Sequence, residues 1–111
     1  MKNLVILLTS LNDICHKYLR YIELKSRTEE SLDNNDVINE YYGAMETISQ
    51  QISTIFDEKN NLDLVANTEL IDGVSKIVEF FSSIHNDKIL DEDDIGELQI
   101  DRVISMAQKQ K

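Results

Sequence analysis

Carboxylates are the commonest reactive groups in this chain, and they are concentrated. Residues 87–101 hold seven acids, Asp87, Asp91, Glu92, Asp93, Asp94, Glu97 and Asp101, against one base, Lys88. That net −6 is more than half of the −10 carried by all 111 residues. Crowded carboxylates can coordinate a hard cation or meet a cationic surface. A calcium loop of the EF-hand kind wants oxygen ligands at positions 1, 3, 5 and 12 and Gly at position 6. Counted from Asp91, positions 1, 3 and 6 are Asp91, Asp93 and Gly96, but positions 5 and 12 are Ile95 and Arg102. Counted from Ser83, Asp87 and Asp94 fit positions 5 and 12, whereas Ser83 and Lys88 are poor at 1 and 6. The stretch 56–64, FDEKNNLDL, has the flavour with the wrong spacing. Each register fails at a ligand position, so a degenerate EF-hand-like, calcium-responsive protein ranks last among the alternatives, and neither metal nor cofactor is expected.

Part of the acidity is local chemistry, because acids at a helix start are stabilised by the dipole. That accounts for Asp91 to Asp94 and leaves Glu97 and Asp101. On a continuous helix Asp94, Glu97 and Asp101 share one outward face at steps of 3 and 4, where like charges repel by a few tenths of a kcal/mol. Leu98 is expected to stand exposed beside them. The spacing therefore predicts a docking ridge for a basic protein partner, formed by Asp93, Asp94, Glu97, Leu98 and Asp101. A weaker acidic stretch, Glu29, Glu30, Asp33, Asp36 and Glu40, has no base among residues 28–40.

Catalytic patterns are missing. The two histidines, His16 and His85, lie far apart. Cys15 and His16 point about 100° apart on a helix, which does not pair a nucleophile with a base. Cys15 falls on an apolar stripe, where a thiol is a small core residue. No Gly-rich phosphate loop, Cys/His metal spacing or nucleophile elbow occurs. The chain is predicted to be a non-enzyme.

These groups are carried by helices. Leu4, Leu8, Leu11, Cys15, Tyr18 and Ile22 step 4, 3, 4, 3, 4, which lines up one face of a helix running from about Asn3 to about Glu30. Asp13 with Lys17, and Glu23 with Arg27, are acid-before-base pairs four apart. Lys17, Arg20, Lys25 and Arg27 cluster toward its C-terminus, where the dipole favours them. Val5, Ile6 and Leu7 carry apolar character around the whole helix, with Ile6 opposite the stripe. They are the residues expected to self-associate if the chain forms a homodimer.

After the turn-forming SLDNND (31–36), Ile38, Tyr41, Met45, Ile48, Ile52 and Ile55 predict a second helix, capped by Asn35 or Asp36. Gly43 interrupts it at about 1 kcal/mol relative to Ala, which implies a close neighbour or a bend. DEKNNLD (57–63) is the second connection, and Leu62, Leu64 and Val65 are expected to fold down as a cap. A third helix starts near Asn67 or Thr68, with Leu70, Val74, Ile77, Phe81 and Ile84 inward, and His85-Asn86-Asp87-Lys88 ends it. A fourth runs from about Glu92 to Ala107 with Ile95, Ile100, Val103, Ile104 and Ala107 inward, before a fraying QKQK tail.

With no Pro, no Trp and three Gly, neither a turn-rich sheet protein nor a disordered linker fits. Short polar connections favour one domain, an all-α, antiparallel up-down four-helix bundle. The alternative architecture is a helical hairpin that dimerises. No stretch approaches the ~20 apolar residues of a bilayer span, and the apolar run Leu4–Leu8 is too short for a signal-peptide core, so a cytoplasmic protein is expected. A net charge of −10 repels phosphate backbones and anionic lipid, so neither nucleic acid nor membrane is an expected partner. The leading expectation is a small acidic binding protein that neutralises or escorts a basic protein, of the immunity-protein, antitoxin, phage-encoded-inhibitor or secretion-chaperone type. The alternative is a structural homodimer or assembly subunit.

Overall fold

The computed structural model describes residues 2–27, 36–58, 68–83 and 89–109. Five helical segments follow in order: α1 (Lys2–Arg27), α2 (Asp36–Glu58), α3 (Thr68–Ser82), α4 (Glu92–Gly96) and α5 (Ile100–Gln108). α4 and α5 together make the fourth arm of an all-α four-helix bundle. The expected cap at 62–65, the connection 84–88, the last turn to Glu30 and the choice of Asn35 as cap lie outside the described residues.

The packing order closes into a ring, with α1 against α2, α2 against α3, α3 against α5 and α5 against α1. Directions follow from single contacts. Tyr21 and Tyr18 of α1 meet Tyr41 and Tyr42 of α2, while Ile6 and Leu7 lie beside Thr54 and Ile55, so α1 and α2 are antiparallel. Asn12 bonds Asp101 and Tyr18 bonds Leu90, so the fourth arm runs against α1. Arg102 reaches Glu69 while Lys76 reaches Glu97, which makes α3 antiparallel to that arm in turn. The connectivity is up-down-up-down, and the molecule is about 49 × 20 × 18 Å.

The core follows the stripe the spacing predicts on α1 (Leu4, Leu8, Leu11, Cys15 and Tyr18 buried, Ile22 half-buried) and on α3 (Leu70, Val74, Ile77 and Phe81 buried), with Ile84 outside the described residues. On α2 the stripe is rotated from the expected one. Tyr42 and Ser49 are buried with Ile38, Met45 and Ile52, whereas Tyr41 and Ile48 are half-buried on the α1 side. Ser49 is tolerated there because its hydroxyl reaches the Val78 carbonyl at 3.5 Å, which relieves a buried polar atom. Gly43 is not a point of close approach, since a β-carbon built there meets nothing within 4 Å. Gly73 is that point: a β-carbon there would stand 2.7 Å from Val103 Cγ2, so α3 and α5 pack closely because residue 73 has no side chain.

The expected continuous helix from Glu92 to Ala107 is broken. α4 ends at Gly96, and Gln99 adopts a left-handed backbone with φ 51° before α5 begins. The cause is a phase conflict. At 100° per residue, Ile95 and Leu98 point roughly 140° away from Ile100, Val103 and Ala107 on a straight helix. All five are buried, which only a break between the two sets allows.

Candidate functional site

The break disperses the predicted acidic ridge. Asp94 is taken up in capping α4: the Asp91 carboxylate accepts from the Asp94 N–H at 2.9 Å, and the Asp94 carboxylate accepts from the Asp91 N–H at 3.0 Å. This capping box satisfies amides that a helix start leaves bare. Asp101, beyond the break, turns toward α1 and accepts from Asn12 Nδ2 at 2.8 Å. Leu98, expected as an exposed apolar anchor, is only 4 % exposed and packs into the core. Asp93 and Glu97 remain exposed. The five residues thus do not share one flank, because a one-face assignment needs one uninterrupted helix.

Two smaller clefts replace the ridge. Between α3 and α4, Glu79, Asp94 and Glu97 gather around Lys76 in a notch of about 250 Å³, walled by Phe80 and floored by Leu98. Lys76 Nζ donates to the Glu97 backbone carbonyl at 3.2 Å, so the notch already holds a base of the same chain. Phe80 is half-buried and stands edge-on to Phe81, with ring centroids 5.0 Å apart. On the other side of the arm, Asp101 shares a cleft of about 200 Å³ with Asn12, His16, Glu92 and Gln99. Among the described residues, no three acidic, His or Cys side chains are placed to hold a metal ion. The registers starting at Ser83 and at 56 fall partly outside the described residues.

A third cleft lies on the opposite face and is apolar in character. It has a volume of about 640 Å³ between α1 and α2, with Ile6, Leu7 and Ile55 lining it among Thr47, Gln51 and Thr54. Of the three residues expected to self-associate, Ile6 is 52 % exposed, while Val5 and Leu7 are half-buried against the core.

A buried polar site that spacing alone did not indicate joins three segments. Tyr18 Oη donates to the Leu90 carbonyl at 2.7 Å, and the Leu90 N–H donates to Tyr42 Oη at 3.0 Å. The two phenol oxygens are 3.0 Å apart. The single Tyr18 proton is committed to Leu90, so Tyr42 is the donor between the phenols. The bonds close into a ring running one way round, from Leu90 through Tyr42 and Tyr18 back to Leu90. Burial holds the Tyr18 phenol well above the ordinary tyrosine range. Burial alone pushes the Cys15 thiol up to about 12, which keeps it a neutral core group at physiological pH. The signal for this ring was the adjacent pair Tyr41-Tyr42, of which only one can face the core.

Comparison with protein-family models, curated proteins and solved structures finds no match to this chain.

Proposed function

We propose that this is a small, non-enzymatic acidic binding protein that neutralises or escorts a basic protein partner in the cytoplasm. The observation that supports this reading is how the fold sorts charge. The sequence of α1 has five bases against two acids. In α3 and residues 91–109, nine acids stand against Lys76, Arg102 and Lys109. Two of those bases are engaged at home, Lys76 by the Glu97 carbonyl and Arg102 by Glu69 at 3.4 Å. The face made by α3 and the fourth arm is therefore strongly anionic, close to the α2–α3 face in charge, and it is the one that carries the notch lined by Glu79, Asp94 and Glu97, so electrostatic complementarity suits it to a cationic protein surface. The notch sets Glu79, Asp94 and Glu97 against the single base Lys76, with the Phe80 ring as one wall, and that excess of carboxylate suits an arginine or lysine side chain at its mouth. Nucleic acid and anionic lipid are disfavoured by the same charge.

The contact set differs from the predicted ridge, with Glu79 in and Leu98 and Asp101 out. The test is charge reversal at exposed residues whose side chains make no hydrogen bond or ion pair among the described residues: Glu79→Lys, Asp93→Lys and Glu97→Lys together. The immobilised wild-type chain is expected to retain a basic protein from host extract in a salt-sensitive way. The triple variant is expected to lose it while its helical circular dichroism and melting temperature stay unchanged. Retention of the same protein by a folded triple variant would reject this face.

A further inference from the structure

The strongly exposed apolar side chains among the described residues, Ile6, Leu24 and Val37, all belong to α1 and α2. Ile6 (52 % exposed) and Leu24 (55 % exposed) are eighteen residues apart, five whole turns of helix, and so lie on one line. Asp13 and Lys17 fall within about 20° of the same line, and both are exposed. Although four residues apart, they form no ion pair with each other, unlike Glu23 and Arg27 at 2.7 Å. Along the line the order is apolar, acid, base, apolar at spacings of 7, 4 and 7. That pattern is its own complement when read backwards.

We propose that two copies of this chain associate through the α1–α2 face with their α1 helices antiparallel. A two-fold axis at the level of residue 15 seats Ile6 of each copy against Leu24 of the other, and Asp13 against Lys17. Each contact occurs twice, as an isologous interface requires. The second helix agrees. Tyr18 lies across from Tyr42 and Tyr21 across from Tyr41, so the same register sets Val37 beside Leu24 and Ile55 beside Ile6. The axis then carries Leu24 and Val37 of one copy onto the Ile6–Leu7–Ile55 groove of the other, and fills it.

Charge also selects this face. By sequence α1 sums to +3, α2 to −5, α3 to −2 and residues 91–109 to −4. The two faces containing α1 are nearly neutral, whereas those made by α2 with α3 and by α3 with the fourth arm carry −7 and −6. Two acidic copies meet with least repulsion on a nearly neutral face, and of those two only α1–α2 has exposed Ile6, Leu24 and Val37. Its extent suffices: α1 is about 39 Å long at 1.5 Å per residue and the bundle is 20 Å across. The product is close to the ~800 Å² per partner of a standard interface. The anionic face of the proposed function stays open on both copies, and this pairing does not depend on that reading.

Sedimentation or light scattering over a concentration series tests it. Twice the monomer mass is expected. Asp13→Lys alone, or Lys17→Asp alone, is expected to weaken the dimer at least about tenfold, since each puts two like-charge contacts in place of two attractive ones. The exchanged variant carrying Asp13→Lys with Lys17→Asp restores both pairs and is expected to restore the dimer, which a merely unfolded single variant cannot explain. Under oxidation, Ile6→Cys with Leu24→Cys is expected to cross-link two copies far faster than either single variant. A monomer throughout, a dimer indifferent to the single reversals, no rescue on exchange, or fast cross-linking of Ile6→Cys alone would each overturn the antiparallel pairing.

Discussion

Tyr18 on the first helix donates its phenol proton to the backbone carbonyl of Leu90, 72 residues further along, at 2.7 Å. Closing through Tyr42, this bond joins α1, α2 and the entry to α4 at one buried point. Hydrocarbon packing is non-directional, so leucine and isoleucine alone fix the height of the fourth arm weakly, and the ring fixes it sharply. Tyr18→Phe strands the Leu90 carbonyl and Tyr42→Phe strands its N–H. Each is expected to cost about 1–3 kcal/mol, as a buried unsatisfied group does. The double variant is expected to lose less than the sum, because both act on one network. Urea unfolding of the four proteins measures the difference.

Alkaline pH should unfold the protein for a definable reason. Tyr18, with an ordinary value of 10.0, and Cys15, with one of 9.0, are both raised in the folded state by burial. Folded protein keeps these protons that the unfolded chain releases, so the stability they contribute is whole below about pH 9 and is lost as pH rises toward the folded values. Each group ionised only in the unfolded chain lowers stability by ~1.4 kcal/mol per pH unit. The melting temperature is expected to fall between about pH 9 and pH 11, with a shallower fall for Tyr18→Phe. Cys15 should react with a thiol reagent only as helicity is lost.

Gly43 and Gly73 should respond with opposite signs. Gly43 is exposed within α2 with open space around it, so Gly43→Ala is expected to stabilise by about 1 kcal/mol through helix propensity. At Gly73 the methyl meets Val103, whose β-branched side chain has little freedom to turn aside. Gly73→Ala is expected to destabilise by about 1–3 kcal/mol. Thermal melts of the two variants decide it.

Gln99 holds a left-handed backbone at φ 51°, a conformation that costs a side-chain-bearing residue roughly 1 kcal/mol. Gln99→Gly removes that strain and is expected to raise stability by up to about 1 kcal/mol, part of the gain being offset by a freer unfolded chain. Gln99→Val should lower stability, because β-branching crowds this conformation further. Chemical denaturation at neutral pH measures both.

The four-arm architecture was legible in the sequence because the seams on α1 and α3 obey one helical period over several turns. Helix two was harder. Tyr41 and Tyr42, and Ile48 and Ser49, give two stripes of similar merit, and the one that wins puts Ser49 inward where a carbonyl receives it. The fourth arm departs from the continuous helix, and its sequence contains the reason. Ile95 and Ile100 are five residues apart, so they cannot share one face of a straight helix. A continuous helix puts Leu98 outward beside the acids, whereas the break turns it into the core and divides the acidic ridge. The Tyr18–Leu90 bond was beyond periodicity, which ranks side chains by face and contains no information about backbone partners far along the chain.

The left-handed residue at 99 also makes the fourth arm intolerant of a change in length. Residues 97–99 rotate the chain between the two buried sets, so deleting or inserting one residue there would swing Ile100, Val103 and Ala107 by about 100° and turn them toward water. Only Leu98 of the three is buried, so the stretch tolerates a change of kind at Glu97 more readily than a change in number, and these few residues govern the orientation of everything after them.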